Sequence, residues 1–207
     1  KGKFEGLKIK IPVEIVPDTR YDRIISKVSE AKQNNLLQIA ADKKVIVVGS
    51  SWKMDERIVS EVVLKLKKKF NLIVIYVPHE VDEKTITSLK SKVEGYRLFS
   101  EFNRSNILDK DLIVDEIGLL LDLYKYADIA YVGGAFGNGV HSVTDPAGYG
   151  VPIFCGNQHY KNSEDARRLV ASGGLTPISN SKELYTKISY LLDNETERVK
   201  LGNQNKG

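Results

Sequence analysis

The 207-residue sequence predicts an α/β fold, a Rossmann-like doubly wound parallel sheet with helices on both faces. Two patterns carry that expectation. Short runs such as KVIVVG at 44–49 and LIVIYV at 72–77 are almost entirely apolar rather than alternating, as strands buried on both faces must be. Between such runs lie apolar residues at helical spacing, Ile58, Val62 and Leu66 among them. Strand and helix signals alternate along the chain, which is the mark of βα units.

Taken in order, the first core strand spans 44–49 and ends at Gly49 and Ser50. A helix follows over 54–70. The second strand, 72–77, stops at Pro78. A helix over 81–90 opens with acids. Short strands are expected at 96–99 and 112–114, then a helix over 117–126 with Asp115 as its N-cap. Strands at 129–132 and 152–154 follow, and a helix over 163–171 that ends at Gly173 and Gly174. A strand at 175–178 and a helix over 182–192 complete about six βα units. Residues 1–17, with Pro12 and Pro17, read as an extended lead-in or interdomain linker; 18–201 form the domain, and 202–207 a polar, frayed tail.

Composition narrows the class. Apolar residues make up 42% and charged residues 28%, ordinary for a soluble globular chain. A net charge of +4 is too mild to argue for nucleic acid. The single cysteine, Cys155, excludes an intramolecular disulfide. No run approaches the roughly 20 apolar residues of a membrane span, and no signal peptide is visible. A first residue of Lys rather than Met suggests a piece of a longer protein.

Ligands of such folds bind beyond the carboxyl ends of the strands, so the residues just after each strand matter. GSSWKMDE at 49–56 offers a tight turn whose free N–H groups can hold an anion, or simply a capped helix start. PHE at 78–80 aims His79 into the same crevice, where imidazole can donate to phosphate, unless it is structural. Gly118 either admits a base or ribose close to the backbone or packs at a helix–strand crossing. YVGGAFGNGVHSVTDPAGYG at 131–150 spends four glycines, Gly133, Gly134, Gly137 and Gly139, in seven residues, then sets His141, Ser142, Thr144 and Asp145 ahead of an apolar run. Thr144 or Asp145 fits near a helix N-cap, and Asp145 equally suits a pair of ribose hydroxyls.

Several chemistries do not fit. The glycines are out of register for a G-x-G-x-x-G fingerprint, a Gly-Lys-Ser/Thr P-loop is absent, and no G-x-S-x-G elbow occurs. His79, His141 and His159 are scattered, without a metal-ligand framework. Cys155 at a strand end reads as buried, and Lys65–Lys69 as a solvated helix face.

The motifs taken together resemble a known family. PDTRYDRI at 17–24, VVGSSW at 47–52, VPHE at 77–80, the run from Asp115 to Gly156, and EDARRLVASGGL at 164–175 follow the order and spacing of the C-terminal, donor-binding domain of bacterial 3-deoxy-D-manno-octulosonic acid (Kdo) transferases, in a form similar to Bacteroidetes enzymes. The resemblance covers about residues 14–201 and implies half of a GT-B glycosyltransferase. Such enzymes move Kdo from CMP-Kdo to a lipid A precursor at the cytoplasmic face of the inner membrane, inverting at the sugar carbon, with neither metal nor cofactor. The resemblance puts the glutamate base and most of the acceptor surface in an N-terminal domain, so no catalytic residue is expected in this soluble chain. A positive balance suits an anionic membrane surface.

The resemblance also implies roles. Ser50 and Ser51 would lie by the donor phosphate or the Kdo carboxylate, and His79, where many members carry Arg, would face the phosphate. Ile117, Gly118 and Leu119 would present backbone to cytosine. The loop Gly133–Gly139, with Phe136, would let the donor approach, and His141, Ser142 and Asp145 would stand at the ribose end. The usual HNxLEP reads HSVTDP here, so Ser142 replaces Asn and Asp145 replaces Glu, and Pro17 replaces a Gly. Alternatives are the donor domain of a UDP-sugar transferase or UDP-sugar 2-epimerase, or a non-catalytic interaction domain.

Overall fold

The computed structural model describes residues 26–30 and 35–205. The lead-in at 1–17 and the PDTRYDRI motif lie outside them. Seven parallel strands form the main sheet: β2 (Lys44–Ser51), β3 (Leu72–Pro78), β4 (Tyr96–Leu98), β6 (Asp111–Ile113), β7 (Ile129–Val132), β8 (Ile153–Gly156) and β9 (Leu175–Ile178). Their spatial order is β4-β6-β3-β2-β7-β8-β9. β1 (Gln38–Ile39) and β5 (Ile107–Leu108) pair separately. The chain therefore builds outward from β2 on one side, then returns to build outward on the other. This is the doubly wound arrangement, and its switch point lies between β2 and β7.

Period-two alternation sorts the strand side chains onto two covered faces. Ile46, Val48, Val74, Tyr76 and Tyr131 face one cluster, closed by α1 (Lys53–Leu66), α2 (Glu83–Lys90) and α6 (Ser181–Asp193). Val45, Val47, Ile73, Ile75 and Ala130 face the other, closed by α3 (Leu120–Leu123), α4 (Thr144–Tyr149) and α5 (Glu164–Ser172). Cys155 is buried in the second cluster, where burial pushes its thiol up to about 12.

Four expectations change. The helix over 117–126 shrinks to α3 and a 3₁₀ turn at Tyr124–Tyr126. Asp115 does not cap it, because its carboxylate turns back to accept from Ser100 N and Oγ at 2.9 and 2.5 Å. The Lys65–Lys69 cluster is not purely solvated: Lys67 pairs at 2.6 Å with buried Asp111, which also accepts from Val74 N. Finally, the chain past the closing helix expected over 182–192 is more ordered than the sequence suggests. An unforeseen helix, α7 (Glu195–Asn203), follows, and Asn205 beyond it is buried, in place of fraying from 202.

That last segment fastens the end of the sheet opposite the switch point. Arg198 bonds Asp128 at 3.1 Å, and Asp128 accepts from Val45 N at the start of β2. Asn205 Nδ2 donates to Val151 O and Gly174 O, ahead of β8 and β9. We expect Asn205→Ala to cost about 1–2 kcal/mol, mainly by leaving the buried Val151 carbonyl unpaired. Urea denaturation checks this, and an unchanged midpoint would return the segment to a tail.

Candidate functional site

The strands leave their side-chain functions at the carboxyl ends of β2, β3 and β7. β2 runs two residues further than the sequence suggested, through a bulge between Gly49 and Ser51. Ser50 at the bulge has φ 49°, the left-handed region that costs a residue with a Cβ about 1 kcal/mol or more. The bulge turns the chain straight into α1, so the first N–H groups of that helix open toward the crevice.

Beneath this turn sits Asp55, 1% exposed. Its carboxylate accepts from Trp52 N at 3.0 Å, Gly134 N at 2.9 Å and Tyr131 Oη at 2.8 Å. One side chain thus ties the start of α1 to β7 and to the glycine loop. Burial, then the Asp55 charge, push the Tyr131 hydroxyl far above its ordinary value, so it remains a donor. The sequence reading passed over Asp55 and Tyr131. The available signal was an acid at the third position of a helix that starts straight after a strand.

The glycines divide into two kinds. A Cβ at Gly133 would run into the Ser50 carbonyl and lie 2.7 Å from Ser51 Cα. A Cβ at Gly134, φ 94°, would strike the Gly139 carbonyl and crowd His141. The space a Cβ would take at these two glycines is thus filled by the protein. Phe136 likewise packs on Gly156 and the core rather than into the crevice. Gly118 (φ 85°) and Gly139 (φ 122°) are the opposite: nothing lies within 4 Å of a Cβ built on either. The packing reading of Gly118 therefore falls. Gly137 is also nearly free. Beside Gly118, Ile117 is 84% exposed, while Leu119 leans on the core.

His79 and His141 come together, although 62 residues separate them in the chain. Their rings stack at 4.2 Å, and Trp52 stacks on His79 at 4.6 Å. Trp52 Nε1 donates to His141 Nε2 at 2.8 Å. Trp52 is the one tryptophan of the chain; it closes the VVGSSW motif, but no role was expected of it. Burial, then neighbouring His79, hold the His141 pKa below 6.5. Further along, Ser142 Oγ lies 3.1 Å from Thr144 Oγ1. The helix N-cap is Val143, without a side-chain cap, so neither Thr144 nor Asp145 fills that role. Asp145 is half-buried, and burial raises its carboxyl pKa against the pull of Ser142 and Lys27.

A cleft of about 360 Å³ opens between the start of α1 and the loop into α2, lined by Ser51, Trp52, Lys53, Glu56, His79 and Thr85, among others. A larger one, about 500 Å³, lies at the outer edge around β4 and holds none of the candidate residues. Among the described residues no cluster of His, Cys, Asp and Glu could hold a metal, and no helix is long and apolar enough to cross a membrane.

A doubly wound sheet with its crevice at this switch point defines a Rossmann-like α/β domain. The C-terminal CMP-Kdo binding domain of WaaA from Acinetobacter baumannii superimposes with a TM-score of 0.71 at 15% identity, over 89% of this chain and 97% of that one. UDP-GlcNAc 2-epimerase from Neisseria meningitidis shares the fold at a TM-score of 0.53 and 14% identity, over 89% of this chain and 44% of that one. No family profile matches. By sequence the chain belongs to the Kdo transferase family: it is 34% identical to 3-deoxy-D-manno-octulosonic acid transferase of Chlamydophila psittaci over 168 residues, 79% of this chain and 38% of that protein. The chain thus spans about two-fifths of the length of such relatives.

Two expectations follow from the geometry. Asp55→Ala strands the Gly134 N–H and the Tyr131 hydroxyl, and should cost about 3 kcal/mol, against about 1 kcal/mol for Tyr131→Phe. Chemical denaturation separates the two; equal small losses would make Asp55 an ordinary surface cap. The second concerns pH. A histidine whose folded pKa is depressed contributes fully above the unfolded value of about 6.5 and loses that contribution as pH falls below it. His141 should therefore titrate by NMR with a midpoint below 6.5. The lone indole N–H resonance should shift over the same range, because a proton on Nε2 displaces the Trp52 donor. An indole indifferent to that titration would contradict the pairing.

Proposed function

We propose that this chain is the donor half of a Kdo transferase and binds CMP-Kdo in the crevice between β2 and β7, for transfer to a lipid A precursor held by another domain. The observation that carries the reading is the kinship with a Kdo transferase combined with a glycine loop locked against the start of α1 at the switch point. The parent enzyme works at the cytoplasmic face of the bacterial inner membrane.

In this reading the base stacks near Ile117–Leu119, where Gly118 leaves the backbone open. The phosphate meets His79, Ser50 and the N-terminus of α1, whose partial positive charge favours an anion. The loop from Gly133 carries His141, Ser142 and Asp145 to the ribose. The Asp145 carboxyl oxygens can accept from ribose hydroxyls, and their partial burial strengthens such a bond.

Titration with CMP, with UMP as control, tests the proposal. Selective CMP binding with amide shifts at Gly118, Gly134 and Asp145 is expected; preference for UMP would overturn the Kdo reading. Asp145→Ala should weaken CMP by about 1–3 kcal/mol, the usual loss of a hydrogen bond to a charged group. An unchanged dissociation constant would leave Asp145 without a ligand role.

A further inference from the structure

Two buried polar atoms beside the crevice have no partner. Ser51 is 2% exposed and its Oγ bonds nothing; Glu56 is 1% exposed and its Oε1 bonds nothing. Both residues line the 360 Å³ cleft between α1 and the loop into α2. Leaving such atoms unsatisfied costs about 1–3 kcal/mol each, so a fold that keeps both at one cleft keeps them for a ligand. The cleft volume falls at the lower end of the roughly 300–1,000 Å³ of ligand pockets, which suits one sugar.

The chemistry of the pair defines what fits. Glu56 is fixed by its other oxygen, since Oε2 accepts from Lys92 Nζ at 2.7 Å and Lys92 is itself held by Ser88 Oγ at 3.0 Å. The free oxygen can only accept, and it carries charge that repels phosphate or carboxylate. Ser51 Oγ can donate or accept. Thr85 and Glu80 add further polar groups to the lining. Lys53 and His79 also line the cleft and can hold an anion beside it, but the acceptor-only oxygen of Glu56 calls for a donor, which a sugar hydroxyl supplies and a phosphate or carboxylate does not. We infer that Ser51 and Glu56, braced by Lys92, form a subsite for the hydroxyls of the donor sugar, in the same cleft as His79 and next to the anion position at Ser50 and His79. This moves Ser51 from the anionic groups, where the sequence resemblance put it, to the polyol. The inference rests on the chain binding a nucleotide sugar, and it makes Glu56 a specificity-determining residue for the sugar.

The test compares CMP-Kdo with CMP on wild type, Ser51→Ala and Glu56→Gln. Ser51→Ala removes a hydroxyl that bonds nothing in the fold, so its melting temperature should match wild type. Its affinity for CMP-Kdo should fall about tenfold while that for CMP stays the same. In Glu56→Gln, Lys92 selects the amide oxygen and turns the NH2 toward the cleft, replacing an acceptor with a donor; the same selective loss is expected. Equal affinity changes for the two ligands, or none, would overturn the subsite while leaving nucleotide binding standing. Wild type that binds neither ligand would remove the donor reading and the subsite with it. Ser51→Ala decides the matter even if Glu56→Gln does not fold.

Discussion

The buried carboxylate of Asp55 is the contact on which the crevice depends. It joins three pieces that the chain delivers separately: the start of α1, the β7 tyrosine and the glycine loop. Three donors on one charged acceptor compensate the desolvation that an isolated buried carboxylate could not bear. The geometry works only because Gly133 lets β7 lie directly against Ser50, Ser51 and Asp55. Gly133 and Asp55 therefore act as one device. The absence of a side chain on one strand makes room for the acceptor that the next residue's N–H needs. The strain at Ser50 follows from the same demand, since the bulge is what swings α1 and its carboxylate under the loop.

Asp55 and Glu56 are chain neighbours, buried to the same degree, and they serve opposite ends. Asp55 has every available partner within the protein. Glu56 has one oxygen bound and one free. Consecutive residues on a helix point about 100° apart, so one turns toward the switch point and the other toward the cleft over α2. The first turn of α1 thus forms the wall between the glycine loop and the cleft beside it. Lys92, two residues past the end of α2, holds the second carboxylate, so α2 must be in place for Glu56 to be fixed.

The strands were readable because burial on both faces demands continuous apolar runs, and KVIVVG and LIVIYV can be little else. The crevice position followed from the same logic, since its residues sit where those runs end. The limits are equally physical. Asp115 looked like a cap because local sequence cannot reveal that Ser100, on the neighbouring connection, offers two donors instead. Gly133 and Gly118 carry the same residue letter, yet one is closed by protein and the other open; only the third dimension separates them. Trp52 stacks on a histidine that arrives from β3 and bonds one that arrives after β7, a meeting no spacing rule encodes. Helix α7 was missed because it owes its place to Arg198 and Asn205, polar residues satisfied at the far end of the sheet.

The HSVTDP segment shows how the fold accommodates its short polar side chains. Asp145 sits among tyrosines: burial, then the Asp145 charge, raises the Tyr124 hydroxyl, and burial, then the charges of Asp122 and Asp145, push that of Tyr149 up to about 12. Both hydroxyls are buried without partners, and Tyr124 Oη fills the place where Gly49 lacks a Cβ. The glycine that ends the apolar run of β2 therefore admits a phenol, and that phenol stands beside the carboxylate that follows the glycine loop. An acceptor one methylene shorter than glutamate sits deeper in such a setting, in a lower dielectric, where each hydrogen bond to it is stronger and its reach is less. Asp145 thus lies drawn in toward Tyr124, and Ser142 beside it is tied to Thr144.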